Sequence, residues 1–277
     1  AWVEGWANFF PLPVENSPEF SYRDWYIFDF ENRRWPHFQN GDAVEGNVTA
    51  VLWDIVDSTA DQYSYKLSLE GQPIWGSNYD HISLGFKPIW DVLTSGRRHR
   101  NFYEFWDDFK TMYADNLERI HYAKMALFQN TIDYNRAPSI SSIDVTGGQT
   151  LALRAYVTEW DEEDRSYTSA TFEHSTDGKK WNPIGTVAQP YYSYGPALHF
   201  MLSWTPPADR PLWIRAVATD GIENSEYCVV KLYDFGDSSN WNSRVWVWEG
   251  RLEGLPSSPE DFIAIATQAN NDDYQKL

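Results

Sequence analysis

Residues 43–57 read Ala-Val-Glu-Gly-Asn-Val-Thr-Ala-Val-Leu-Trp-Asp-Ile-Val-Asp. Val44, Val48, Val51, Leu52 and Ile55 recur at spacings of three and four, which places them on one face and predicts an amphipathic helix with a buried stripe. Similar spacing runs through residues 82–93, 102–113 and 117–131, with a break marked by Gly96 and Asn101. The first half of the chain is therefore expected to be mainly helical. At residues 135–138, Asn-Arg-Ala-Pro, the period changes, and Leu151, Leu153, Ala155 and Val157 then alternate along one side of an extended segment. Further strand candidates are 168–174, 199–204, 212–220 and 226–233, separated by turn signals at Thr176-Asp177-Gly178, Pro206-Pro207 and Asp220-Gly221. Strands at this spacing predict a β-sandwich.

The expected fold class is thus multidomain, α plus β. A helical region covers 1–134, an all-β sandwich 135–235, and a short tail 236–277 holds a strand at 244–249 and a helix opening at Ser258-Pro259-Glu260-Asp261. Ser258 suits the cap of that helix and Pro259 its first turn. No internal repeat or low-complexity segment stands out.

The 277 residues carry 22 basic and 40 acidic side chains, a formal charge of −18. Such a chain repels phosphate backbones and anionic lipid surfaces, so nucleic acid and membrane partners are not expected. The acidity suits a secreted or cell-surface protein or bound calcium, but an ordinary solvated surface is the simpler reading. Cys228 is the sole cysteine, which leaves no internal disulfide and no cysteine-based zinc site; a metal must use His, Asp or Glu. No apolar run approaches the roughly 18 residues needed to cross a bilayer. The chain opens at Ala1 already inside an apolar, Trp-rich pattern that reads as mid-domain sequence. An upstream segment, removed or held elsewhere, is therefore expected.

The opening Ala1-Trp2-Val3-Glu4-Gly5-Trp6-Ala7-Asn8-Phe9-Phe10 resembles the third-ligand helix of the gluzincin metallopeptidases, the group that includes thermolysin and the fungalysins. Residues 45–57 resemble the helix that follows that ligand, and Ile89-Trp90-Asp91-Val92-Leu93 with 101–113 resemble the terminal helices of the same domains. The resemblance covers about the first 134 residues in the right order. It implies that Glu4 binds zinc through a carboxylate oxygen, completing a three-ligand site whose fourth position holds the catalytic water. It also implies that Asn8, one turn further on the same face, takes the place where relatives often carry an Asp that orients a zinc-binding His; the amide is the electrostatically weaker partner.

The motif His-Glu-x-x-His occurs nowhere in the chain, so neither the two His ligands nor the general-base Glu is present. This polypeptide alone is not expected to hydrolyse peptides. Joined to an upstream chain or segment that supplies that helix, it would complete an endopeptidase in which zinc-activated water attacks the carbonyl of a peptide or protein substrate. For the residue that stabilises the oxyanion, the candidates are His81 and its neighbour Tyr79, against the reading of His81 as a solvated loop side chain. Asp54, Asp57 and Asp61 cluster at the end of a helix and are candidate calcium ligands, although no complete calcium-loop pattern follows them. Asn47-Val48-Thr49 fits the glycosylation acceptor formally but falls inside a packed helix and is discounted.

Ser175-Thr176-Asp177-Gly178-Lys179-Lys180-Trp181 and residues 213–221 look like the immunoglobulin-like or fibronectin-like modules appended to secreted enzymes. Trp160, Trp181, Trp204 and Trp213 suit either a glycan platform or core packing. Two further readings stay open: a non-catalytic cell-surface or filament-forming protein built on a peptidase-derived scaffold, with extracellular assembly through its sandwich and tail, and a carbohydrate-binding module.

Overall fold

The computed structural model describes residues 1–22, 26–31, 40–58, 81–147, 149–207, 212–232 and 241–243. The chain divides into two units, Ala1–Asn135 and Arg136–Leu277. The expected strand at 244–249 and the helix opening at Ser258 lie outside the described residues. Among those described, no helix is long and apolar enough to cross a membrane.

The first unit contains six helices among its described residues: α1 (Trp2–Phe9), α2 (Pro11–Glu15), α3 (Glu45–Val56), α4 (Phe86–Leu93), α5 (Phe102–Met112) and α6 (Leu117–Gln129). An antiparallel hairpin of β1 (Glu19–Tyr22) and β2 (Tyr26–Asp29) stands between α2 and α3. The centre of the unit is α3, and its environment corrects the amphipathic reading of 43–57. Every residue from Gly46 to Ile55 is buried, on all sides of the helix. A helix enclosed in this way must satisfy its polar side chains internally. Asn47 donates to the Gly41 carbonyl and to Thr131 Oγ1, both at 3.0 Å. Thr49 Oγ1 lies 3.0 Å from the Gly5 carbonyl and 2.9 Å from that of Glu45. Asp54 accepts from the Asn130 amide, and Trp53 Nε1 donates to Glu31 at 2.8 Å. Asn47, Thr49, Trp53 and Asp54 thus each tie α3 to a neighbouring segment.

Helix α1 approaches α3 at Gly5. A Cβ built there would sit 2.8 Å from Val48 Cγ1 and 2.9 Å from the Glu45 carbonyl oxygen, so only glycine permits this crossing. The aromatic residues of α1 then divide between two clusters. Trp2 packs with Phe102 and Phe105, at 5.8 and 5.2 Å between ring centroids, whereas Trp6 and Phe9 pack with Phe86, at 6.3 and 6.1 Å. Helix α5 begins where expected because Asn101 caps it, its side chain accepting from the Glu104 N–H at 2.9 Å. The Glu104 carboxylate reaches back to the N–H of Arg100 at 2.8 Å. Helix α4 begins four residues later than the periodicity of 82–93 predicts. Gly85, at φ 69°, turns the chain just before it.

The second unit carries two antiparallel sheets. One runs in the order β10 (Cys228–Leu232), β9 (Leu212–Thr219), β5 (Ser169–Ser175), β6 (Asn182–Val187). The other runs β11 (Trp241–Ser243), β3 (Ser139–Gly147), β4 (Leu151–Thr158), β8 (Ala197–Trp204), β7 (Tyr192–Tyr194). Leu151, Leu153, Ala155 and Val157 alternate inward as the sequence pattern requires, and they share one apolar cluster with Phe172, Ile214, Ala216 and Val230 of the first-named sheet. The turn after β5 is built by Asp177, whose Oδ1 accepts the N–H groups of Lys179 and Lys180, each at 2.8 Å, while Gly178 supplies a φ of 70°. The architecture is mixed α and β, and the sole cysteine, Cys228, is buried and forms no disulfide.

Candidate functional site

Glu4 and Asn8 occupy the outward side of α1. The three buried residues of that helix, Trp2, Gly5 and Phe9, fix its inward face, and the Glu4 side chain is 69% exposed. Its carboxylate lies 3.2 Å from the Ala1 amino group. Asn8 is half-buried. Apolar residues continue the outward surface, with Val3 at 73% exposure and, in α2, Val14 at 74%. The Glu4 carboxylate is thus ion-paired to the Ala1 amino group but open to solvent, beside the uncovered Val3. It supplies one oxygen donor, and zinc in a catalytic site takes three protein ligands. Among the described residues of the first unit, no three His, Cys, Asp or Glu side chains converge on one point. The remaining ligands of a zinc site at Glu4 would have to come from residues other than these.

His81 is exposed and sets its ring edge-on to Tyr122 of α6, 6.1 Å between centroids. Tyr79 lies outside the described residues, as does Asp61. The two described members of the expected calcium set occupy different environments. Asp54 is buried and bonded to Asn130, whereas Asp57 is half-buried at the C-terminus of α3. Asn47, the formal glycosylation acceptor, is wholly buried, and the amide nitrogen that would carry a glycan makes the two hydrogen bonds that anchor α3.

An open pocket of about 530 Å³ lies against α2, α3 and the start of α4, with Glu31 and Asp57 as its carboxylates and Trp53 in its wall. Glu4, Asn8 and His81 do not line it. A histidine that the motifs did not single out is better held than His81: His99, nearly buried, places Nε2 2.8 Å from Asp108, which also pairs with Arg97. Its ring meets Trp2 and Phe105 edge-on at 6.3 and 5.9 Å. These contacts make His99 a brace between α1 and α5.

In the second unit the four tryptophans divide. Trp213 is buried, with the Lys231 ammonium 4.4 Å from its ring, and Trp204 packs against the core beside His174. Trp181 lies beneath the Arg215 guanidinium at 4.3 Å, and that group also contacts Tyr227 at 4.0 Å. Only Trp160 of the four is well exposed, and Arg136 covers one of its faces at 4.8 Å. They form no common platform.

The group that sequence reading missed follows β4. Glu159, Asp161 and Asp164 each bring a carboxylate oxygen within 4.8 Å of the others. Glu159 is wholly buried. Burial pushes its carboxyl up to about 8, helped by the neighbouring Asp220, Asp164 and Asp161 carboxylates and opposed by the Asp161 N–H. The run Glu159-Trp160-Asp161-Glu162-Glu163-Asp164 was visible as an acidic stretch, but such a run reads as a solvated face until the topology encloses its first residue.

No curated protein and no solved structure matches the chain. Residues 1–131 match the family model described as Mycolysin C-terminal domain, a span that nearly fills the first unit and supports reading it as the carboxyl-terminal part of a thermolysin-like peptidase.

Proposed function

We propose that the first unit is the carboxyl-terminal part of a secreted zinc-dependent endopeptidase, with Glu4 as the metal ligand that this chain supplies. The observation that carries the reading is the outward face of α1: an exposed carboxylate at Glu4, Asn8 on the same side, and uncovered Val3 beside them. The family match over residues 1–131 supports the same reading.

A segment bearing His-Glu-x-x-His, in the same protein or a companion chain, would cover that face and bring the two His ligands and the general base. Zinc held there would lower the pKa of its bound water and polarise the scissile carbonyl. Glu4 would hold one coordination position, and the Asn8 amide would hydrogen-bond a ligand His. The aromatic packing of Trp2 and Trp6 fixes the axis of α1, so the Glu4 carboxylate is presented from a rigid element. His81 and Tyr79 are the residues to test for oxyanion stabilisation. The second unit we read as an immunoglobulin-like or fibronectin-like β-sandwich appended to the enzyme, in keeping with two antiparallel sheets around one core.

The test is elemental mass spectrometry for zinc on the native particle, with intact mass to reveal a companion chain. Stoichiometric zinc is expected, and Glu4→Ala is expected to release it without moving the thermal midpoint of the metal-free chain, because the side chain is exposed. A particle with neither zinc nor a segment bearing the missing helix would refute the peptidase reading and favour a non-catalytic cell-surface role.

A further inference from the structure

We propose that Glu159, Asp161 and Asp164, with Asp220 beside them, form a site for a hard divalent cation of the calcium class in the second unit. The proposal does not rest on the peptidase reading, which concerns the other unit. Oxygens that share a calcium ion at 2.3–2.6 Å stand up to about 5 Å apart, and the three carboxylates already bring one oxygen each within 4.8 Å of the others.

The decisive feature is Glu159. Its side chain has no solvent exposure; Oε1 accepts the Asp161 N–H at 2.8 Å, and Oε2 is buried with no hydrogen-bond partner among the described residues. A buried carboxylate oxygen left unpartnered is costly, and it invites either a proton or a cation. A proton would answer Glu159 alone, whereas a divalent cation would also use the convergence of one oxygen each from Glu159, Asp161 and Asp164.

The frame is already set for binding. Asp161 Oδ2 accepts the Arg136 N–H at 3.2 Å, and the Asp164 carbonyl accepts from Thr168 Oγ1 at 2.9 Å and from the Tyr167 N–H at 3.0 Å. Asp220 follows β9, with Oδ1 taking the N–H groups of Ile222 and Glu223, both at 2.7 Å. The donor set is entirely oxygen, with no imidazole or thiolate, which selects calcium over zinc or copper.

The experiment uses the full chain stripped with a chelator. Terbium is added and excited through Trp160, which stands between two of the ligands, and calcium then competes it away. Luminescence that calcium displaces is expected, together with a rise of about 5–10 °C in the thermal midpoint at a hundredfold excess of calcium over its Kd. Glu159→Gln and Asp161→Asn are each expected to weaken calcium at least tenfold, and Asp57→Asn to leave it unchanged. Absence of any calcium effect in the wild-type chain would overturn the proposal and leave a protonated Glu159. Wild-type affinity in both site variants, or loss only in Asp57→Asn, would overturn it too. If Glu159→Gln does not fold, Asp161→Asn decides alone by the same criterion.

Discussion

Asp177 shows how one residue can be read from sequence down to its ionisation. Thr176-Asp177-Gly178 signals a turn, and in the fold the Asp177 carboxylate accepts the N–H groups of Lys180 and Lys179 and the Ser175 hydroxyl. These bonds favour the charged form and hold the carboxyl at about 2, below its ordinary 3.8. Because the folded value is the lower one, the stabilisation is fully present above the unfolded value and is lost as pH falls toward 2. An NMR titration is expected to place the Asp177 midpoint near 2 in the native protein, and Asp177→Asn should flatten the acid limb of the stability curve. A native midpoint near 4 would contradict the turn geometry. The motif around Glu4 likewise marked its helix, α1. Glu159 was not legible in the sequence. Its importance comes from an enclosure created by β4, β9 and the turn after β4, and local sequence carries no trace of the distant Asp220.

At the scale of elements, the 3.6-residue period found α3, α5 and α6 and the alternation found β4, because these patterns record which face is buried. Helix α3 was located correctly but misjudged in its surroundings: the amphipathic reading gave it one buried stripe, whereas Asn47, Thr49 and Asp54 are buried too and each is bonded to a neighbouring segment. The hairpin of β1 and β2 was missed because four-residue strands offer too little alternation to separate from loop. The contact of α1 with α3 yields the sharpest expectation. Gly5→Ala would ordinarily gain about 1 kcal/mol of helix propensity. The new Cβ would meet the Glu45 carbonyl oxygen at 2.9 Å, a backbone atom that cannot turn aside, and strain of about 1–3 kcal/mol opposes the gain. Net destabilisation is expected in urea unfolding, and a more stable Gly5→Ala protein would show that the helices can separate freely.

At the scale of the molecule, each unit has its own apolar core, one built around α3 and α5 and the other from residues of both sheets. Domains with separate cores can unfold as separate cooperative units. Calorimetry is expected to show two transitions. Phe105→Ala should lower one and Phe172→Ala the other, each by about 3–5 kcal/mol, since both side chains are fully buried in different cores. A single transition that both substitutions shift alike would mean that the units fold as one. The second unit opens at Arg136, beside the change of period near residue 135, where helical and strand patterns cannot share one segment.

The burial of Asn47 has a practical consequence for production. In a host that attaches glycans to Asn-x-Thr while the chain is still emerging, modification would compete with folding: a sugar on the Asn47 amide would keep α3 from seating against Gly41 and Thr131. Material from such a host would divide into a native unmodified fraction and a glycosylated fraction unable to close its first core. Expression in a bacterium without that machinery removes the competition.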